Sequence, residues 1–319
     1  MRKLNALTFL TLLSVVASPE LSADVIVVQS EPYKHGSPVL AIVGSSRLAE
    51  KLGRKVGEVF LKGKAVDVVK GVIEALGGGG TVLFKRGSYN VGELVLPVPS
   101  CFTFVGEQRR FWTARLHGVI KFEKTEDKKA LRHTFLILRN LEVSAPRGAR
   151  SAIRCPAGNV VFEGVFTTHA YRWEGGSHIV LTGPDWGVKI LEHPVWMGAV
   201  KGICWDLRPK FVSVIDPEAW VALNGIKFGG GGLYVGGHLA VPPGPKEWKA
   251  PWLVGISTYP LETRERKFYP VTVIGGAPEG PSVAYEADGA FLILLGCSLG
   301  HNAKIMEKNG GKVVKVGNE

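Results

Sequence analysis

Four acidic residues stand at near-regular intervals: Glu142, Glu163, Asp185 and Asp206, separated by 21, 22 and 21 residues. Stacked-repeat architectures use repeats of about 20–45 residues, so this interval predicts one carboxylate set above the next. Neighbouring strands lie about 4.8 Å apart. Like charges at that distance raise one carboxyl pKa, the condition a general acid needs beside a base. A row of oxygens also suits a hard cation such as Ca2+. Phe162 and Gly164 flank Glu163, and Leu141 and Val143 flank Glu142, so on a strand each carboxylate faces away from apolar neighbours. Glu163, Asp185 and Asp206 are the catalytic candidates, and no metal ligand set is assigned.

A second constellation could hold a substrate. Trp173, Trp186, Trp196 and Trp205 cluster in the middle of the chain, interleaved with His169, Arg172, His178 and His193. Indole faces stack on sugar rings, and Arg or His bonds hydroxyls and carboxylates. Trp173, Trp186, Trp196, Trp205, Arg172 and His169 are the substrate-binding candidates. Tryptophan at a turn also serves simply to cover a core. His35, His117 and His301 read as structural residues. The glycine runs at 229–232 and 236–237 are followed by no Lys-Ser/Thr and no helix, so they read as tight turns rather than phosphate loops. No Gly-x-Ser-x-Gly or His-Glu-x-x-His motif occurs.

The elements that must position these residues are mostly short strands. Phe135–Leu138, Asn159–Phe162, His178–Leu181 and Phe291–Leu295 are apolar runs bounded by Gly, Pro, Asn or Asp. Strands are also expected at Asp24–Val28 and Pro38–Val43. Two helices are expected before residue 77. One runs from Arg47 to Phe60 behind an N-cap at Ser45-Ser46, with Leu48, Leu52, Val56 and Val59 on one stripe. The other runs from Val66 to Leu76, with Val66, Val69, Ile73 and Leu76 in period, and stops at Gly77.

The series that follows is specific. It holds an amphipathic helix, the run Gly77–Gly80, an apolar strand to Phe84, the Gly-x-Tyr turn at 87–89, the strand Glu93–Pro97 and the Val-Gly-Glu turn at 105–107. Over residues 65–109 it resembles the opening of the pectin-lyase-like, or pectate-lyase-superfamily, right-handed parallel β-helices. The resemblance implies an all-β solenoid of about 20–25 residues per coil with an N-terminal capping helix. A β-sandwich is the competing architecture, and the absence of helical crossovers argues against a doubly wound α/β fold. The resemblance further implies polysaccharide as the substrate class, with Ca2+-binding carboxylates and a basic residue in lyases, or close Asp pairs in hydrolases. The chain departs from both patterns. Its few Asp residues form no Asp-Asp or Asn-x-Asp pair.

Residues 1–23 read as a signal peptide or N-terminal anchor, 24–64 as a strand-and-helix segment, and 65–319 as the β-helix domain. Arg2 and Lys3 precede an apolar stretch from Leu4 to Ala17, with small residues after it. That is the pattern of secretion, with cleavage after Ala17 or Ala23, and the stretch is short for a membrane span. The formal net charge is +11, which suits an acidic polysaccharide or cell-surface glycan, an anionic lipid or nucleic acid as partner, and equally a well-solvated thermophile surface with no such partner. Scarce glutamine and plentiful Lys, Arg and Glu match thermophile composition. No nucleic-acid signature is present, so that partner is disfavoured. Cys101, Cys155, Cys204 and Cys297 lack the pair spacing of a zinc site and suit either disulfides or buried thiols. Two readings follow: an exported enzyme acting on or binding acidic glycans, as lyase or glycoside hydrolase, or a non-catalytic cell-surface or appendage β-helix. Self-association is compatible with either.

Overall fold

The computed structural model describes residues 25–29, 40–45, 58–107, 114–146, 149–156, 159–169, 173–174, 179–181, 186–191, 194–195, 200–201, 203–209, 211–220, 224–240, 254–260, 269–281, 283–299 and 303–317. The chain is an all-β parallel solenoid. Successive coils place a strand in each of three positions, and each position stacks into its own sheet. Position one runs through Gly79–Phe84, Cys101–Gly106, Phe135–Arg139, Asn159–Glu163, Trp186–Leu191, Phe211–Ile215, Gly231–Val235, Val271–Ile274, Phe291–Leu295 and Lys312–Val316, all parallel. Position two includes Glu142–Ala145 and Phe166–His169, and later Glu218–Trp220 and His238–Ala240. Position three includes Ile153–Cys155, Ile179–Leu181, Ile203–Leu207, Asn224–Phe228, Val254–Thr258, Val283–Asp288 and Lys304–Lys308.

Alternation along each strand builds the interior. Val82, Phe104, Leu138 and Phe162 are successive register partners up position one, and Val214, Tyr234, Val273 and Leu294 continue the row higher in the stack. A matching ladder in position three holds Ile120 and Ile153, then Trp205, Ile226, Ile256 and Tyr285. All of these side chains are buried. Each rung packs a large apolar group against the next, which is the chief stabilising contribution of a solenoid core. Phe84 and Phe104 meet edge to face, with ring centroids 5.9 Å apart.

The corners have their own code. Asn140, Gly164, Asp216, Gly236, Gly275, Gly296 and Gly317 each directly follow a position-one strand, and each has φ between 49° and 64°. Glycine, asparagine and aspartate are the residues that accept this left-handed turn at least cost. The next corner is tighter in the first two coils, where positions two and three are joined in single strands, Gly87–Leu96 and Ala114–Phe122. Gly118 turns there with φ 155°, and a Cβ on it would stand 2.0 Å from the Gly92 carbonyl oxygen.

The one long helix among the described residues is α1, Ala65–Ala75. Val68, Val69, Val72 and Ile73, with Leu76 just beyond its end, form a buried stripe, and the helix packs onto the Gly87–Leu96 strand. Gly77, with φ 60°, ends it. The other expected helix, from Arg47 to Phe60, is overturned at its C-terminal end. Glu58–Gly63 is a strand, antiparallel to Val25–Gln29, because Val59 and Leu61 can alternate into a sheet as readily as onto a helix stripe. The N-terminal portion of that expectation, with its Ser46 cap, lies outside the described residues. The expected strands appear at Val25–Gln29 and Leu40–Ser45. The second pairs in parallel with Gly79–Phe84, so the segment before residue 65 extends the same sheet.

Candidate functional site

The acidic row expected from regular spacing does not form. Glu142 lies in position two, Glu163 in position one and Asp206 in position three. The partner of Glu163 one coil on is Leu191, well past Asp185, and the partner of Asp206 one coil before is Val180, which precedes Asp185. Coil length varies with the insertions at each corner, so a constant sequence interval drifts from one face to another. Asp185 lies outside the described residues. Each described carboxylate is instead tied to a cation: Glu142 to Arg115 at 2.7 Å, Glu163 to Arg139 at 2.9 Å and Asp206 to Arg208 at 2.7 Å.

The aromatic set divides in the same way. Trp205 is fully buried in the interior ladder. Its ring is a core rung and offers no face to a sugar, because it alternates with the outward Asp206. Trp173 and Trp186 stand on described strands, Trp173–Glu174 and Trp186–Leu191, and His169 ends the strand Phe166–His169. Those strands belong to different sheets, so their backbones do not gather the three residues in one row. Trp196 and Arg172 lie outside the described residues. Cys101 is exposed and Cys155 and Cys297 are buried, none of the three in a disulfide, and the Cys297 Sγ–H donates to the Val273 carbonyl at 3.3 Å.

The structure assembles a different site around Asp206. Going up position three, the successive register partners are Arg154, Val180, Asp206, Lys227, Ser257 and Glu286. Asp206 points outward yet its side chain is 6% exposed. A carboxylate so desolvated must be paired and hydrogen-bonded. Arg208, two residues on, returns to the same side of the chain. Its Nε donates to both carboxylate oxygens at 3.1 and 3.0 Å, and its Nη2 donates to Oδ2 at 2.7 Å. The Tyr259 hydroxyl donates to Oδ1 at 2.6 Å. Tyr259 follows the Val254–Thr258 strand and stands 53 residues from Asp206 in sequence. The Lys227 ammonium lies 4.3 Å from the centre of the Tyr259 ring, and the Arg208 guanidinium carbon lies 5.5 Å from it. Both distances are within cation–π range.

The electrostatics follow from burial and charge. Burial first, and then the bond to Asp206, push the Tyr259 phenol well above its ordinary pKa. It therefore stays protonated and acts as a donor. The bond to Asp206 holds the Arg208 guanidinium still more firmly in its charged form. Asp206 thus clamps Arg208 on one edge, while the guanidinium side chain is 54% exposed. Further along the row, Glu286 receives Lys308 at 2.7 Å. The assembly sets one aromatic ring within cation–π reach of two cations, with the Arg208 side chain exposed at its edge. Among the described residues, no three of His, Cys, Asp and Glu gather as a metal site, and no helix is long and apolar enough to cross a membrane.

Arg208, Lys227 and Tyr259 escaped the sequence reading. Lys227 stands 21 residues after Asp206, the interval already in view, and Asp206-x-Arg208 places opposite charges on one side of a strand. Those two had signals. Tyr259 had none, since a long insertion separates it from its partner. A scan against protein-family models finds no match for this chain, and neither do searches of curated proteins and of solved structures.

Proposed function

We propose that this chain is an exported solenoid protein that binds an acidic polysaccharide along the outer side of position three. The observation that carries the reading is the clamped Arg208. A guanidinium fixed by a buried carboxylate has already lost the side-chain entropy that binding would cost, and its outer edge can take a carboxylate oxygen pair. Lys227 adds a second charge one coil away, about 4.8 Å along the stack. A polymer with one carboxylate per sugar would meet both cations. The net charge of +11 favours the same class of ligand. A right-handed winding and kinship with pectin-lyase-like helices belong to the same proposal, supported by the helix–glycine–strand series of residues 65–109. Export is supported by the charged start and short apolar run.

Binding, rather than cleavage, is the proposed activity. Glu163 and Asp206 sit in separate ion pairs on separate sheets, and glycoside hydrolysis needs two carboxyl groups about 5–9.5 Å apart across one bond.

Titration calorimetry against polygalacturonate, alginate and neutral dextran tests this. The two acidic polymers should bind, with affinity falling as salt rises, and dextran should not. Lys227→Ala should weaken binding about fivefold, the equivalent of about 1 kcal/mol. The same incubations, read for unsaturated product absorbance, report any eliminating activity. Equal binding to dextran, or none to either acid polymer, would refute the proposal.

A further inference from the structure

A second polar group lies on the outer side of position two in the first three coils, away from the Asp206 site. Ser88 and Asn90 stand on the Gly87–Leu96 strand, Arg115 and His117 on Ala114–Phe122, and Glu142 and Ser144 on Glu142–Ala145. Register stacks Ser88 with Arg115 and Arg115 with Glu142, and stacks Asn90 with His117 and His117 with Ser144. The intervening Tyr89, Leu116 and Val143 are buried inward, so the polar residues share one outer surface. The His117 Nε2 stands 2.7 Å from the Ser88 Oγ. Beside them the Arg115 Nε donates to the Glu142 Oε2 at 2.7 Å, and Glu142 is 3% exposed.

The geometry points to a serine-nucleophile site at Ser88 that acts on a small O-acyl ester. A serine hydroxyl within hydrogen-bond reach of an imidazole nitrogen is the arrangement that activates an otherwise weak nucleophile. With the proton of His117 on Nδ1, Nε2 accepts the Ser88 hydroxyl. The Oγ attacks the ester carbonyl carbon as its proton passes to Nε2. The alcohol then leaves with that proton, and an acyl-serine forms. Water attacks the acyl-serine, gives its proton to Nε2, and the carboxylic acid departs as the proton returns to Ser88. Arg115 is the neighbour of Ser88 across the strands, and Glu142 fixes its guanidinium at one edge. Its positive charge, one strand over from Ser88, attracts the negative charge that develops on the ester oxygen. Glu142 is a positioning residue, acting through Arg115. The inference is independent of the glycan proposal, since it uses another face and other residues.

The full chain treated with a fluorophosphonate probe, followed by peptide mass spectrometry, tests this. The wild type should carry the label on Ser88, and Ser88→Ala should lose it. His117→Gln should slow labelling about 100-fold with an unchanged circular dichroism spectrum. The labelling rate should rise with pH through the range in which a histidine loses its proton, and that rise should vanish in His117→Gln. Glu142→Gln should lower kcat for 4-nitrophenyl acetate while leaving KM and the circular dichroism spectrum in place. A folded wild type with Ser88 unlabelled overturns the inference, as does labelling whose rate and pH dependence survive in His117→Gln.

Discussion

Replacing Arg208 with Ala tests whether the Asp206 cluster is a clamp or a chance surface pairing. The substitution removes three donor contacts of 2.7 to 3.1 Å from a carboxylate that is 6% exposed. The Tyr259 hydroxyl is then left as the described donor to that charge. Breaking a buried pair from one side costs about 3–5 kcal/mol, because the partner stays buried and uncompensated. Arg208 itself is 54% exposed, so the site borders water and the lower end, about 3 kcal/mol, is expected. Arg208→Lys keeps the charge but loses the fork, and should cost about 1–2 kcal/mol. Tyr259→Phe should fall in the same range, since it removes one bond to a charged acceptor. The double variant Asp206→Leu with Arg208→Met should recover most of the loss, because neither charge is then stranded. Urea unfolding followed by far-UV circular dichroism reads all four. If Arg208→Ala lies within about 0.5 kcal/mol of wild type, the value ordinary for surface substitutions, the clamp does not exist. If the double variant is no better than Arg208→Ala, the desolvation argument is wrong.

Three further outcomes follow from other parts of the solenoid. Trp205→Ala should cost about 3–5 kcal/mol as a core truncation while affinity for acidic polymer changes little, the reverse of Lys227→Ala; a loss of affinity without a loss of stability would restore the ring to the binding surface. Gly118→Ala sets a Cβ 2.0 Å from the Gly92 carbonyl oxygen in a backbone region that alanine avoids, and should cost about 3 kcal/mol or more by calorimetry; a near-neutral result would mean the corner opens freely. The hydrogen bond from Lys85 holds the Glu107 carboxyl below the ordinary range, aided by the Arg86 amide. A depressed carboxylate pKa adds stability above the unfolded value of about 4.3 and loses it as pH falls through the folded value. The stability gap between wild type and Glu107→Gln should therefore close on acidification, and a gap independent of pH would contradict the assignment.

Much of the solenoid can be read from local pattern. Phe135–Arg139 and Asn159–Glu163 alternate in and out, and that alternation alone assigns Leu136, Leu138, Val160 and Phe162 to the interior. The same rule sets Trp205 against Asp206, since adjacent strand residues cannot both face a ligand. The stripe of α1 and its stop at Gly77 are equally local. The Asn, Asp and Gly corners after position-one strands belong here too, because φ near 55° leaves few residues to choose from.

Which residues meet across coils is a different kind of fact. Leu233 pairs with Ser213 below it and Thr272 above it, and the second step takes nearly twice as much chain as the first. A strand's register is set by the ladder it joins, and chain inserted at a corner changes the sequence interval without disturbing that ladder. Equal spacing therefore could not carry Glu163 and Asp206 to one face, and 53 residues could separate Tyr259 from the carboxylate it bonds. Sequence by itself determined the inward and outward sides of each strand, because that choice is made by the two neighbours of every residue. Tertiary structure decided the site, because a buried carboxylate is satisfied by whichever donors the stacked coils bring within about 3 Å, however far away they lie along the chain.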